Sequence, residues 1–281
     1  MSPPPGRPKE GSLPLGGTAR SAKGAPVSIV DQSNAGGRAT PLLSIQGLSK
    51  RFGGLNALSQ VSFDVTEGRI VGIMGANGAG KTTLFSLIAG NARPSAGDIH
   101  YQGRSLVGLR PDQICRLGVS RTFQIVKPFP ALTVMENLRT AAMFGKAQLR
   151  NAGQADDASR RVLQEVGLAD VADRPASTLT LSGQKRLEIA RAIATGAKVV
   201  LLDEVMAGLT PTEVTRMLQT LRQLHAERGL TLLVIEHVMR ALMELCSHIV
   251  VLHLGELIAQ GTPQEIARDE QVLAVYFGGH A

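Results

Sequence analysis

The nine residues Gly75, Ala76, Asn77, Gly78, Ala79, Gly80, Lys81, Thr82 and Thr83 read as a glycine, four residues, then Gly-Lys-Thr. Glycines let successive backbone N–H groups converge on an anion at a helix N-terminus, where the dipole also favours negative charge. In such a loop Lys81 would neutralise the β and γ phosphates of a nucleotide, and Thr82 would offer its hydroxyl to Mg2+. The pattern has this meaning only between a strand and a helix, and RIVGIMG before it and TTLFSLIAG after it supply that context. The competing reading is a glycine-rich turn that binds nothing.

A second set of groups lies downstream. The apolar run Val199 to Leu202 ends in Asp203-Glu204, so a buried strand delivers two adjacent carboxylates to its C-terminal end, where ligands gather in open α/β sheets. Asp203 is the candidate for contact with Mg2+ through water, and Glu204 for polarising the water that attacks a γ-phosphate. Taken alone, such a pair is more often a solvated strand end. His237 follows the apolar run TLLVIE and emerges at the same edge, although a lone histidine there is usually structural. Gln124 closes GVSRTFQ and, as a neutral donor and acceptor, can touch both a metal and a water; by itself it is an ordinary polar residue.

These groups need a parallel sheet to bring them to one edge. The β-to-α alternation that starts at RIVGIMG returns at VVLLDE and TLLVIEH, which predicts such a sheet flanked by helices. Ahead of it, LLSIQGLSKRFG and VSFDVTEG are short strand-like runs broken by glycine, as in an antiparallel layer. Capping-box spacing marks helix starts at Thr133 with Glu136, Thr210 with Glu213 and Thr262 with Glu265, and Pro211 and Pro263 take the first helical position. Residues 130–195 read as mostly helical, with polar breaks around 151–157 and 173–180, which assigns a helical subdomain to about 125–195. Residues 1–40, dense in Pro, Gly, Ser and Ala without periodicity, read as a flexible extension.

Composition narrows the function classes. With 43% hydrophobic and 19% charged residues over 281 positions, the chain can bury a large core and is not mostly disordered. No run approaches the roughly 20 apolar residues of a spanning helix, and the N-terminus lacks the apolar core of a signal peptide, so a cytoplasmic location is expected. The net charge of +7 invites a nucleic-acid partner, but residues 1–40 carry five basic and two acidic residues, and the remaining excess is ordinary. Cys115 and Cys246 stand far apart without metal-ligand spacing and are expected as buried free thiols.

Taken in order, the phosphate loop, Gln124, the segment Leu179-Thr-Leu-Ser-Gly-Gln-Lys-Arg186, Asp203-Glu204 and His237 resemble the nucleotide-binding domain of ABC transporters from about residue 41 to the C-terminus. The resemblance implies a P-loop NTPase with a RecA-like parallel core, an antiparallel β subdomain and a helical subdomain carrying the signature motif. It implies ATP and Mg2+ as ligands, with ATP sandwiched between two such subunits, and roles for Glu204 and His237 in hydrolysis. It assigns Thr82, Gln124 and Asp203 to the metal, and Gly75, Asn77, Gly78, Ala79, Gly80, Lys81, Thr82, Thr83 and Gln124 to the nucleotide.

In that family the signature serine and glycines grip the γ-phosphate of ATP held by the partner subunit. Here the motif departs from Leu-Ser-Gly-Gly-Gln: counting back from LEIAR puts Thr180 at the serine position, while Ser182-Gly183-Gln184 is the alternative core after a local shift. Without the other motifs, the segment would read as a plain helix cap. Val205 stands where a proline usually follows the catalytic glutamate, and Thr210 where Asp or Asn is usual. Phe52 matches the aromatic that stacks on adenine, with packing beside Phe63 as the alternative.

RTFQIVKPFPALTVMENL, VIEHVM and the ending GTPQEIARDEQVLAVYFGG are similar to the ATP-binding subunits of branched-chain amino acid importers, and lipopolysaccharide-export ATPases carry a similar ending. The resemblance implies a peripheral subunit on the cytoplasmic face of the inner membrane. Its partners would be a second ATP-binding subunit, identical or not, transmembrane permease subunits and, indirectly, a solute-binding protein. A non-transport ABC ATPase acting on DNA or ribosomes is the competing class; sustained heptads or a second ATPase domain would mark it, and the chain has neither.

Overall fold

The computed structural model describes residues 40–122, 128–146, 148–149 and 151–277. The extension expected over residues 1–40 therefore lies, except for Thr40, outside the described residues, as does Gln124. Along the chain, β1 (Leu43–Phe52) and β2 (Leu55–Val65) form a hairpin, and β3 (Ile70–Met74) runs through the glycine-rich loop into α1 (Lys81–Ile88). Next come β4 (Ala96–Tyr101), β5 (Arg104–Ser105), α2 (Pro111–Leu117) and β6 (Val119–Arg121). Three helices follow, α3 (Val134–Phe144), α4 (Ala152–Glu165) and α5 (Leu181–Ala194). The chain ends through β7 (Val199–Asp203), α6 (Pro211–Arg228), β8 (Thr231–Ile235), α7 (Met239–Leu245), β9 (His248–His253), β10 (Glu256–Gly261), α8 (Pro263–Ile266) and α9 (Glu270–Phe277).

Among the described residues the strands form an antiparallel sheet ordered β2-β1-β4-β5 and a six-stranded sheet ordered β10-β9-β3-β8-β7-β6. The second is parallel except at β10, which returns antiparallel on β9. Every residue of β3, β7 and β8 is buried, and alternate side chains feed two cores, as a sheet covered on both faces requires. Val71, Ile73, Val199, Leu201, Leu233 and Ile235 face the core shared with α1, α2 and the antiparallel sheet. Ile70, Met74, Val200, Leu202, Leu232 and Val234 face the core built with α3 to α7.

The three expected capping boxes form: Thr133, Thr210 and Thr262 each accept from the backbone N–H three residues on, and each glutamate accepts from the threonine's own N–H. The polar break expected at 151–157 is corrected, because residues 152–157 are the first half of α4. Asn151 caps that helix by accepting from Gly153 N–H, Ala155 is buried, and Asp156 points outward to pair with Arg139 of α3 at 2.9 Å. The polar letters there belong to one face of an amphipathic helix, not to a loop. Cys246 is a buried free thiol as expected, its thiol pushed up to about 12 by burial, whereas Cys115 is only partly buried.

Candidate active site

The glycine-rich loop leaves β3 where only glycine fits. A Cβ at Gly75 would lie 2.5 Å from the Leu252 carbonyl oxygen and 2.8 Å from Ala79 Cβ. Gly80, at φ 102°, is the N-cap of α1, and a Cβ there would meet the Ala57 oxygen at 2.6 Å. Unlike α3, α6 and α8, α1 has no side-chain cap and no acid in its first turn. Its first amides are therefore left for an external anion. The loop is held from outside: Gly255 N–H donates to the Ala79 oxygen at 3.1 Å, and Ser59 N–H to the Gly255 oxygen at 2.8 Å.

Lys81 folds back over this loop, its Nζ donating to the oxygens of Gly75 at 2.6 Å and Ala76 at 3.0 Å. An ammonium carries three donors, so one remains for a phosphate oxygen. Burial lowers the Lys81 pKa, while the negative charges of Glu204 and Asp203 work against that fall. The charges that oppose this fall thus come from the last residue of β7 and the residue after it.

Asp203 closes β7 in register with Ile235 of β8 and is fully buried. Its Oδ2 accepts from Arg121 Nη2 at 2.7 Å, and its backbone N–H donates to Thr122 Oγ1 at 3.0 Å. Asp203 Oδ1, also buried, has no hydrogen-bond partner among the described residues. Glu204 then turns the chain out of the strand with φ 52°, a left-handed conformation that disfavours a side chain and is sustained only by surrounding contacts. Those contacts include Glu204 N–H to the Ile235 oxygen at 2.9 Å, Lys185 Nζ to the Glu204 oxygen at 2.8 Å and Ala207 N–H to the same oxygen at 3.2 Å. The turn presents Glu204 Oε1 to His237 Nε2 at 2.8 Å. A carboxylate only accepts, so the imidazole donates from Nε2.

Three charged residues at this edge carry no signal of their role in the sequence: Arg121, which is partly buried, and Lys185 and Glu236, which are buried. Arg121 ends β6, and the sequence shows only a cation closing the run GVSR. Lys185 is buried on α5 and reaches the backbone of Glu204 across to β7. Glu236, immediately before His237, is buried and accepts from Met206 N–H at 2.8 Å. Burial raises its carboxyl to about 7, against the lowering effects of the Met206 hydrogen bond and of nearby Lys185. The sequence shows only a glutamate ending the apolar run TLLVIE.

The other candidates sit apart from this cluster. Thr180 is the N-cap of α5 and accepts from Gly183 N–H at 3.2 Å, Ser182 lies in the first helical turn, and Gln184 Nε2 donates to the Leu179 oxygen at 3.0 Å. Among the described residues no hydrogen bond joins these four residues to the Gly75–Thr83 loop of the same chain. Phe52, at the hairpin end of β1, is 52% exposed with Lys50 Nζ 4.8 Å from its ring centre. The alternative of packing beside Phe63 fails, because Phe52 pairs with Leu55 while Phe63 is buried opposite Ile45 at the far end of the ladder. On α9, Tyr276 lies close enough to Gly75 for the loop backbone to favour its phenolate, although burial dominates and pushes the phenol up to about 12.

Comparison with known proteins agrees with this arrangement. Residues 58–207 match the family described as ABC transporter, and residues 256–281 match the family described as Branched-chain amino acid ATP-binding cassette transporter. The chain is 40% identical over 250 residues to the high-affinity branched-chain amino acid transport ATP-binding protein LivG of Salmonella typhimurium, covering 85% of this chain and 98% of that one. It is 32% identical over 237 residues to the lipopolysaccharide export system ATP-binding protein LptB of Haemophilus influenzae, covering 84% and 97% of the two chains. Among solved structures, an ATP-binding cassette of an ABC transporter superposes with a TM-score of 0.77 at 28% identity, covering 85% of this chain and all of the other. The chain belongs to the ABC transporter ATP-binding family, and it is an ATPase subunit built on the P-loop fold.

Proposed function

We propose that this ATPase energises import of branched-chain amino acids from the cytoplasmic face of the cell membrane. The observation that carries the reading is the match of residues 256–281 to the branched-chain family, which covers β10, α8 and α9 rather than the shared nucleotide machinery. The 40% identity to a branched-chain amino acid transport protein supports it. No helix among the described residues is long and apolar enough to cross a membrane, so transport requires permease subunits. Two ATPase subunits would close on two nucleotides, and a solute-binding protein would supply the cargo.

In this reading Gly75, Asn77, Gly78, Ala79, Gly80, Lys81, Thr82 and Thr83 hold the phosphates, and Phe52 stacks on the base. Thr82, Asp203 and Gln124 would hold Mg2+, which neutralises charge on the β and γ phosphates. The fit rests on the orphaned buried Oδ1 of Asp203. Among the described residues no group of three His, Cys, Asp or Glu side chains converges, as suits a cation that keeps waters and phosphate oxygens as ligands. Glu204 accepts a hydrogen bond from the attacking water and so polarises it, and His237 steadies the Glu204 carboxylate. Thr180, with Ser182, Gly183 and Gln184 in the following turn, addresses the nucleotide of the partner subunit from the start of α5.

A second reading, a lipid or lipopolysaccharide exporter, is favoured by the 32% identity to a lipopolysaccharide export protein over nearly the same length. Uptake of leucine, isoleucine and valine into vesicles carrying the native complex separates the two. ATP-dependent accumulation of these solutes is expected; no accumulation together with ATP-dependent lipid release would replace import by export.

A further inference from the structure

We infer that Arg121 is a positioning residue that ties together the two sides of the magnesium site, fixing Asp203 on β7 against Thr82 on α1. The inference rests on the reading of Thr82 and Asp203 given under the proposed function. One guanidinium makes both connections. Its Nη2 donates to Asp203 Oδ2 at 2.7 Å, and its Nη1 donates to Ser86 Oγ at 3.0 Å. The Ser86 hydroxyl in turn donates to the backbone oxygen of Thr82 at 2.8 Å. The ion pair is nearly dry, with side-chain exposures of 11% for Arg121 and 0% for Asp203. The guanidinium also lies over the Phe85 ring, 5.9 Å from its centre.

This arrangement has two chemical consequences. Asp203 is held through one oxygen only, so its carboxylate plane is fixed while Oδ1 stays uncommitted. The planar fork of arginine serves its two acceptors in a fixed relative geometry, which the freely rotating donors of a lysine ammonium do not impose. Arg121 also stands three residues before Gln124, at the last position of β6, and Thr122 beside it accepts from Asp203 N–H. The end of β6 is thereby anchored to the end of β7 through two adjacent residues. Groups that orient metal ligands from behind typically change metal affinity by about 10- to 100-fold when removed.

The test measures dissociation constants of a non-hydrolysable ATP analogue, with Mg2+ and with EDTA, on the full-length chain and on Arg121→Met, Ser86→Ala and Asp203→Asn, with melting temperatures alongside. The quantity read is the gain in affinity that Mg2+ confers. That gain is expected to fall about tenfold or more in Arg121→Met and about threefold or more in Ser86→Ala, while binding in EDTA stays within about twofold of the parent. Ser86→Ala leaves the Arg121–Asp203 pair intact, so it decides the question if Arg121→Met does not fold. A parental gain in Ser86→Ala and in any folded Arg121→Met overturns the inference, even if the latter melts lower, since that would be a purely structural role. A parental gain in Asp203→Asn would instead overturn the underlying metal reading.

Discussion

His237 Nε2 lies 2.8 Å from Glu204 Oε1, joining the second residue after β8 to the first residue after β7 across the edge of the parallel sheet. Glu204 is the less exposed of the two, at 12% against 47% for His237, so the imidazole approaches from solvent and the carboxylate is the fixed member. Glu204→Gln is expected to lower kcat by at least about 100-fold while ATP still binds, as for loss of a general base. His237→Ala should lower it less, and the double variant should resemble Glu204→Gln alone, because the two act as a unit. Additive losses would show that the pair does not operate together. Steady-state hydrolysis and nucleotide binding on the three variants supply both readouts.

Glu236 should make stability depend on pH. Its carboxyl is raised by burial from 4.5 to about 7 in the folded chain. The folded state therefore holds a proton that the unfolded state has released between these values. Its contribution is fully present below pH 4.5 and is lost as pH rises to about 7, on the order of 3 kcal/mol at most. Glu236→Gln keeps an oxygen for Met206 N–H but cannot ionise. It is expected to gain stability over the parent as pH rises towards 8, with the gap closing near pH 5. Denaturant melts across that range measure it, and a pH-independent gap contradicts the burial argument.

At the signature segment the geometry favours Thr180 over Ser182, since Thr180 is the N-cap and Ser182 already lies within α5. Thr180→Ala is expected to remove about 1 kcal/mol of stability through the cap and to abolish ATP-dependent dimerisation in a Glu204→Gln background. Ser182→Ala should affect both much less. Size-exclusion chromatography with and without ATP reads the dimer, and the reverse ranking would shift the motif by two residues.

Thr210, where the family usually has Asp or Asn, caps α6 and closes a box with Glu213. All three residue types serve that role. Thr210→Asn is expected to leave the melting temperature nearly unchanged, and Thr210→Ala to cost about 1 kcal/mol. Equal destabilisation by both would mean that the methyl group, not the hydroxyl, matters.

What the sequence disclosed and what it hid divide along physical lines. The loop Gly75–Thr83, the strand ends at Asp203 and His237 and the threonine caps are local patterns whose residue types follow from backbone geometry. They could be located without knowing the fold. Arg121, Lys185 and Glu236 matter because of where distant strands and helices bring them. Arg121 reaches Asp203 from 82 positions away, and Lys185 reaches the backbone of Glu204 from a different element. For Arg121 and Glu236 a charged residue closing an apolar run was the one clue available, and it carries no partner with it; Lys185, inside α5, had none. The misplaced break at 151–157 had the opposite cause. Polarity was read as a loop where it was the outer face of a helix, and Ala155 and Val162 on the inner face were too sparse to reveal the period.

Phosphate binding rests on the uncapped N-terminus of α1 and on Lys81, whose ammonium bridges Gly75 and Ala76 and keeps a donor for phosphate. Lys81→Ala, assayed for MgATP affinity and for phosphate release, is the most direct test. Binding should weaken by at least about tenfold and hydrolysis should fall by about 100-fold or more, the scale expected when a charged phosphate donor is lost. Parental binding and turnover in Lys81→Ala would contradict the assignment of this loop as the nucleotide site.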